Sequence, residues 1–172
     1  MATKISDKIA HGMINFLEDE DQIMQIMEMN GYSDLVCSNG IKKLKSEEKV
    51  IQIMEKVKEV VDANTKISIK DKYIYCIFTW QNGIRMLKSD EKIMEMMKKA
   101  NLKGIYQSGI VMLTSKENIL KTIEMSGYEQ EEVFNSGIWL LEKIGEIEKI
   151  TQEAKENIED IKEEIQKFRE EN

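Results

Sequence analysis

One short string recurs along this chain, and its spacing constrains the fold more than any other feature. [Asn/Ser]-Gly-Ile-x-x-Leu begins at Asn39, Asn82, Ser108 and Ser136, and the first three copies continue as x-Ser-x-Glu-x-[Ile/Val]. A degenerate earlier copy, His11-Gly12-Met13-Ile14 with Leu17, fits after a one-residue slip. The motif glycines Gly40, Gly83, Gly109 and Gly137 are 43, 26 and 28 residues apart, so one interval carries an insertion of about 15 residues. Self-similarity at this period is the signature of helical units that bury their apolar faces only by stacking on one another.

Each column of the motif has a physical role. Ser46, Ser89 and Ser115 precede apolar helical text and are followed by Glu48, Glu91 and Glu117, the arrangement of an N-cap with acid in the first helical turn. The helices that start there end on a repeated string: Met27-Glu28-Met29-Asn30-Gly31-Tyr32 returns as Ile123-Glu124-Met125-Ser126-Gly127-Tyr128, and Asn101 takes the glycine column in Met97 to Leu102. Gly31, Asn101 and Gly127 are therefore expected at positive φ, as left-handed caps, with Tyr32, Leu102 and Tyr128 touching Met27, Met97 and Ile123. In the second copy that column is Lys58, so its helix should run on to about Val61 before Asn64 breaks it. The motif glycines lie within apolar helical text, where each costs about 1 kcal/mol relative to Ala, and close helix crossing or a kink would account for them.

Proline is absent and apolar residues recur at three- and four-residue steps, so the fold class is all-α. The one candidate strand, 66–71 (KISIKD), is short and isolated and reads as a loop. Residues Asp71 to Leu87 read as the longest and most aromatic of the Gly-Ile helices. The column three residues before the glycine is Cys37, Trp80, Tyr106 and Phe134, and these side chains, with the neighbouring Phe78, are expected to be buried.

The Gly-Ile-x-x-Leu-x-Ser-x-Glu-x-Ile text, from Gly12 to about Leu141, resembles armadillo and HEAT-type repeats, in which a glycine-led helix is followed by a short turn and a second helix; the unit here is shorter. That resemblance implies a short α-solenoid-like stack of helix pairs with an extended partner-binding face, and implies no particular binding residues.

From Leu140 onward the pattern becomes a heptad. Ile144, Thr151, Ile158 and Ile165 share one seam position, and Ile147, Ala154, Ile161 and Phe168 the other. The chain thus divides into a repeat body, 1–150, and a C-terminal heptad extension, 151–172. The seam residues Ile158, Ile161, Ile165 and Phe168 form an apolar stripe that needs a cover, through self-association or docking.

Charge is unevenly spread about the net of −7: residues 1–40 carry 2 basic against 7 acidic side chains, 41–104 carry 15 against 9, and 105–172 carry 8 against 16. Solvated helix faces explain this, as does a basic middle that meets acidic ends. The basic middle with Tyr73, Tyr75, Phe78 and Trp80 invites a nucleic-acid reading. A sequence pI near 5.0 and the absence of any RNA- or finger-type motif argue against it.

Chemistry finds few residues. His11 is the only histidine, Cys37 and Cys76 lie far apart with no CxxC, and no Gly-rich phosphate loop occurs. The run Glu18-Asp19-Glu20-Asp21 lacks the glycine and terminal Glu of a calcium loop and suits a helix N-terminus. No catalytic residue, metal or cofactor is assigned. The methionine clusters Met24, Met27, Met29 and Met94, Met96, Met97 are either core or an adaptable groove. With no apolar run of membrane length and no secretion signal, the chain reads as cytoplasmic. The function expected is a protein–protein interaction module, adaptor or scaffold, with the last helix as oligomerisation or docking element. The alternative is a small acidic inhibitor or regulator of a basic, nucleic-acid-handling partner.

Overall fold

The computed structural model describes residues 4–66, 74–127 and 130–170, with the backbone alone for Lys103, Ile150 and 153–170. Among the described residues the protein is helical, with no strand. The helices are α1 (Asp7–Phe16), α2 (Glu20–Asn30), α3 (Asp34–Gly40, continued by a 3-10 turn Ile41–Lys43), α4 (Glu47–Ala63), α5 (Ile77–Met86), α6 (Asp90–Ala100), α7 (Lys103–Ile110), α8 (Lys116–Ser126) and α9 (Glu131–Glu170). Most of the expected 66–71 loop, and the Tyr128 contact, fall outside the described residues.

The odd-numbered helices carry the Gly-Ile text and pack in series: α1 on α3, α3 on α5, α5 on α7, and α7 on α9. The even-numbered helices open on the expected caps. Ser46, Ser89 and Ser115 accept the N–H of Lys49, Lys92 and Asn118, and Asp19 does the same for Gln22, which places the Glu18–Asp21 run at a helix start. Asn64 ends α4 two residues past Val61, and the missing cap at Lys58 makes α4 17 residues long against 11 for its counterparts α2, α6 and α8.

The three cap residues have positive φ: Gly31 at 79°, Asn101 at 51° and Gly127 at 76°. Gly31 and Asn101 are left-handed, whereas Gly127 has ψ 134° and lies outside that region, which departs from the expected geometry. At α2 the Tyr32 N–H donates to the Met27 carbonyl (2.9 Å) and Tyr32 itself sits at φ 56°, a second consecutive left-handed residue that turns the chain sharply into α3.

The motif glycines are close-contact sites, not kinks; Gly40, at φ −65° and ψ −39°, is ordinary helix. A Cβ at Gly40 would fall inside the Met27 side chain, at Gly83 inside Met54, at Gly109 inside Met97 and at Gly137 against Ile123. The second neighbour repeats too. A Cβ on Gly83 would meet Ile41 at 3.0 Å and one on Gly137 would meet Ile110 at 3.0 Å. Each glycine therefore receives a side chain from the preceding even helix, and Gly83 and Gly137 also receive the isoleucine after the preceding motif glycine.

The same geometry explains the slip in the first copy. Ala10, Ile14 and Leu17 stand where Cys37, Ile41 and Leu44 stand in the second, so Met13, not Gly12, occupies the glycine column. Among the described residues no side chain is set against that face of α1: Met13 is 42% exposed, and a Cβ at Gly12 would meet nothing within 4 Å.

Two expectations fail. The helix expected from Asp71 begins at Ile77 and is 10 residues long, the same as α1 and far shorter than α9. Its start is set by Asp34, whose carboxylate accepts the Thr79 N–H at 2.8 Å and so occupies the first turn of α5. Phe78 is 60% exposed and Phe134 38%, although Cys37, Trp80 and Tyr106 are buried. Phe78 lies five residues before its glycine, a column otherwise filled by Lys8, Leu35, Gly104 and Glu132, which faces outward.

Two glycine-to-alanine variants should move stability in opposite directions. Gly12→Ala should raise it by up to about 1 kcal/mol, because the helix gains propensity and nothing is crowded. Gly83→Ala should lower it by about 1–3 kcal/mol through overpacking. Urea titrations of the two proteins measure both signs, and a coupled loss that shrinks in Gly83→Ala/Met54→Ala would assign the second effect to that contact.

Candidate interaction surfaces

Polar contacts fix the register between neighbouring helix pairs. The first residue of α2, α4 and α6 is Glu20, Glu47 and Asp90, and each accepts a backbone N–H from the turn before the next even helix: Lys45 at 2.5 Å, Lys88, and Thr114 and Ser115 at 3.1 and 2.9 Å. The third residue of that next helix then reaches back, Lys49 to Glu20 and Asp21, Lys92 to Glu47 and Glu48, and Asn118 to Asp90. Little in the sequence announces this ladder, whose acids stand one position before the Glu column of the motif. At α8 the column holds Lys116, which ion-pairs with Glu148 of α9 instead.

These partners tune the acids. The Lys45 N–H holds Glu20 below the usual carboxylate range, the Lys92 ammonium and the Lys88 N–H do so for Glu47, and Lys92 foremost brings exposed Glu48 to about 2. Asp90 is 8% exposed. Burial pushes its carboxyl up, but donors from Ser115, Asn118 and Thr114 outweigh this and leave it lowered. Asp34 balances the other way: burial dominates the Thr79 donors and raises it.

Between α3, the end of α4 and the segment before α5 lies an open groove of about 390 Å³, lined by Tyr32, Leu35, Val60, Val61 and Tyr75 with Lys4 and Asn64 at its rim. Each wall has a local cause. The Gly31-Tyr32 turn delivers Ser33, which caps α3, and Asp7 accepts from both Asn30 and Ser33 to hold that corner. The uncapped run of α4 carries Val60 and Val61 past Lys58. Leu35 is 60% exposed, Val60 43% and Tyr75 53%, and the bonds of Thr79 to Asp34 tie the start of α5 to that of α3. Apolar side chains grouped at an open groove in this way make it the candidate interaction surface.

The other sequence candidates are distributed differently. Gly40, Gly83, Gly109 and Gly137 are internal contact points, and Gly31, Asn101 and Gly127 are caps. Ile158, Ile161, Ile165 and Phe168 lie on α9, but their side chains are outside the described ones, so the seam is placed only by its backbone. The methionine clusters resolve into core: Met27, Met96 and Met97 are buried and Met24 and Met94 half-buried, with Met29 the exposed member.

Cys37 and Cys76 are buried thiols, and burial pushes Cys76 up to about 11 and Cys37 further. His11 is exposed on α1. Among the described residues no group of three His, Cys, Asp or Glu could hold a metal ion, and no helix is long and apolar enough to cross a membrane. No protein-family model, curated protein or solved structure matches the chain.

Asp90→Ala should cost about 1–3 kcal/mol by stranding the part-buried donors of Thr114, Ser115 and Asn118. Because its carboxyl is held low in the folded state, the stability it contributes is present above its ordinary value of 3.8 and is lost as pH falls through the lowered value. Thermal melts between neutral pH and the acid limb should therefore show a gap between wild type and Asp90→Ala that narrows only at the acid end.

Proposed function

We propose that this chain is a short α-solenoid-like stack of helix pairs that serves as a protein–protein interaction module, an adaptor or scaffold. The observation that carries the reading is the groove around Leu35, Val60 and Tyr75, three exposed apolar side chains on helices held to one another by buried glycine contacts and acid–amide bonds. A rigid support with a partly apolar cleft suits an amphipathic segment of a partner, whose apolar side chains would enter the cleft while its polar side meets Lys4 and Asn64.

Leu35→Glu and Tyr75→Glu, at exposed positions, should leave the fold intact and abolish capture of the wild type's partners by at least tenfold, an energy of about 1.4 kcal/mol or more. Affinity capture with quantified partners, repeated with nuclease and at raised salt, checks this. Equal capture by wild type and both variants would sink the groove. Capture that collapses with salt alone would favour the acidic-inhibitor reading.

The seam of Ile158, Ile161, Ile165 and Phe168 on α9 is proposed as an oligomerisation or docking element, since an amphipathic stripe of this kind is stabilised by about 1.5–3 kcal/mol per large side chain on burial. Ile158→Asp/Ile165→Asp should lower the sedimenting mass of the full chain. An unchanged mass would remove the tail from any account of assembly.

A further inference from the structure

The internal helix contacts obey one register. Residues four before, at and three after the motif glycine face the preceding pair, as 36/40/43, 79/83/86, 105/109/112 and 133/137/140 show by contact or burial, and residues three before, one after and four after it face the following pair. Three polar contacts mark the offset. Thr79 of α5, four before its glycine, donates to Asp34 of α3, six before its own, and Asn82 of α5 donates to the Ser38 carbonyl. Lys43, three after its glycine, reaches the Ile14, Asn15 and Leu17 carbonyls on α1, one, two and four after the Met13 column.

Both faces are unpaired at opposite ends of the stack. On α1 the backward-facing positions are Ile9, Met13 and Phe16, which are 56%, 42% and 90% exposed. On α9 the forward-facing positions are Phe134 and Ile138, 38% and 37% exposed, and half-buried Leu141, whereas Ile41, Leu44, Ile84, Leu87, Ile110 and Leu113 in those columns are all buried. Trp139, two after its glycine, is 55% exposed.

We propose that the α1 face of one copy of this chain stacks on the α9 face of a second copy, head to tail, in the register of the internal pairs. Applying the observed offsets, Phe16 lands on Ile138, Trp139 and Leu141, as Lys43 lands on the equivalent positions of α1. Lys8, one before the Ile9 column, lands beside Glu131, as the Phe78 and Thr79 amides land on Asp34. The contact is apolar at its centre with an opposite-charge pair at its edge. Met13 fits the same scheme. Internal pairs need a glycine there because the preceding even helix supplies a side chain to it, but α9 continues through the position where that serine cap would be, which Lys143 occupies, and supplies none. A methionine fills the volume that the missing helix leaves. The groove and the tail seam are separate residues, so this contact stands or falls apart from them.

Phe16→Asp and Trp139→Asp, both at exposed positions, test it in the full chain, with circular dichroism as the control for folding. Wild type should gain mass with concentration in sedimentation, each variant should weaken that association at least about tenfold, and an equimolar mixture of the two variants should form a 1:1 dimer that grows no further, since each retains one good end. Lys8→Glu should weaken the wild-type contact and Glu131→Lys should restore it. A wild type that stays monomeric at its highest soluble concentration overturns the proposal, as does association that survives Phe16→Asp, or a variant mixture that stays monomeric.

Discussion

Between each helix pair and the next, a methionine or isoleucine side chain lies directly against bare helix backbone at a motif glycine: Met27 on Gly40, Met54 on Gly83, Met97 on Gly109 and Ile123 on Gly137. A glycine in a helix interior costs about 1 kcal/mol relative to alanine. Full burial of the side chain it admits returns about 1.5–3 kcal/mol, so the exchange favours the glycine wherever such a side chain is supplied. Where none is supplied, at the first copy, the column holds Met13 instead. The glycine is thus a property of the contact and not of the helix that carries it.

Around this contact the polar ladder settles register more than energy. Exposed lysine–carboxylate pairs such as Lys49 with Asp21 are worth at most about 1 kcal/mol each. The backbone amides of Thr114 and Ser115 differ, because they are part-buried and an unpaired buried amide costs about 1–3 kcal/mol, whereas those of Lys45 and Lys88 are exposed and their bonds to Glu20 and Glu47 serve alignment. A one-residue slip between pairs would lose these bonds and drive the methionine into a Cβ at once. Packing and hydrogen bonding therefore specify the same register.

Much of this was legible in the text. The serine caps, the three positive-φ cap residues and the run-on of α4 follow from local rules and stand where those rules put them. The glycines were legible as positions but not as contacts, since crossing and kinking leave the same mark in a sequence. Their partners were visible too: Met27, Met97 and Ile123 were read as cap contacts, and they serve the glycine of the next pair as well. Phe78 differs from the neighbouring Trp80 column because its own column, shared with Lys8 and Glu132, faces outward. The ladder acids were hidden beside a more regular Glu column, because an acceptor for a distant amide has no local signature.

The uneven charge follows from the same stacking. The basic middle meets the acidic N-terminal end directly, through Lys49 with Glu20 and Asp21, and Lys43 sets its ammonium on the last carbonyls of α1, where a helix C-terminus favours a cation. Lys92 and Lys99 are likewise bound to acids of α4. Lysines neutralised in this way by carboxylates of adjacent helices do not form the one-signed stripe that tracks a phosphate backbone. Three of the fifteen basic side chains in the +6 segment, Lys49, Lys92 and Lys99, are the basic half of contacts whose acidic half lies one helix pair earlier.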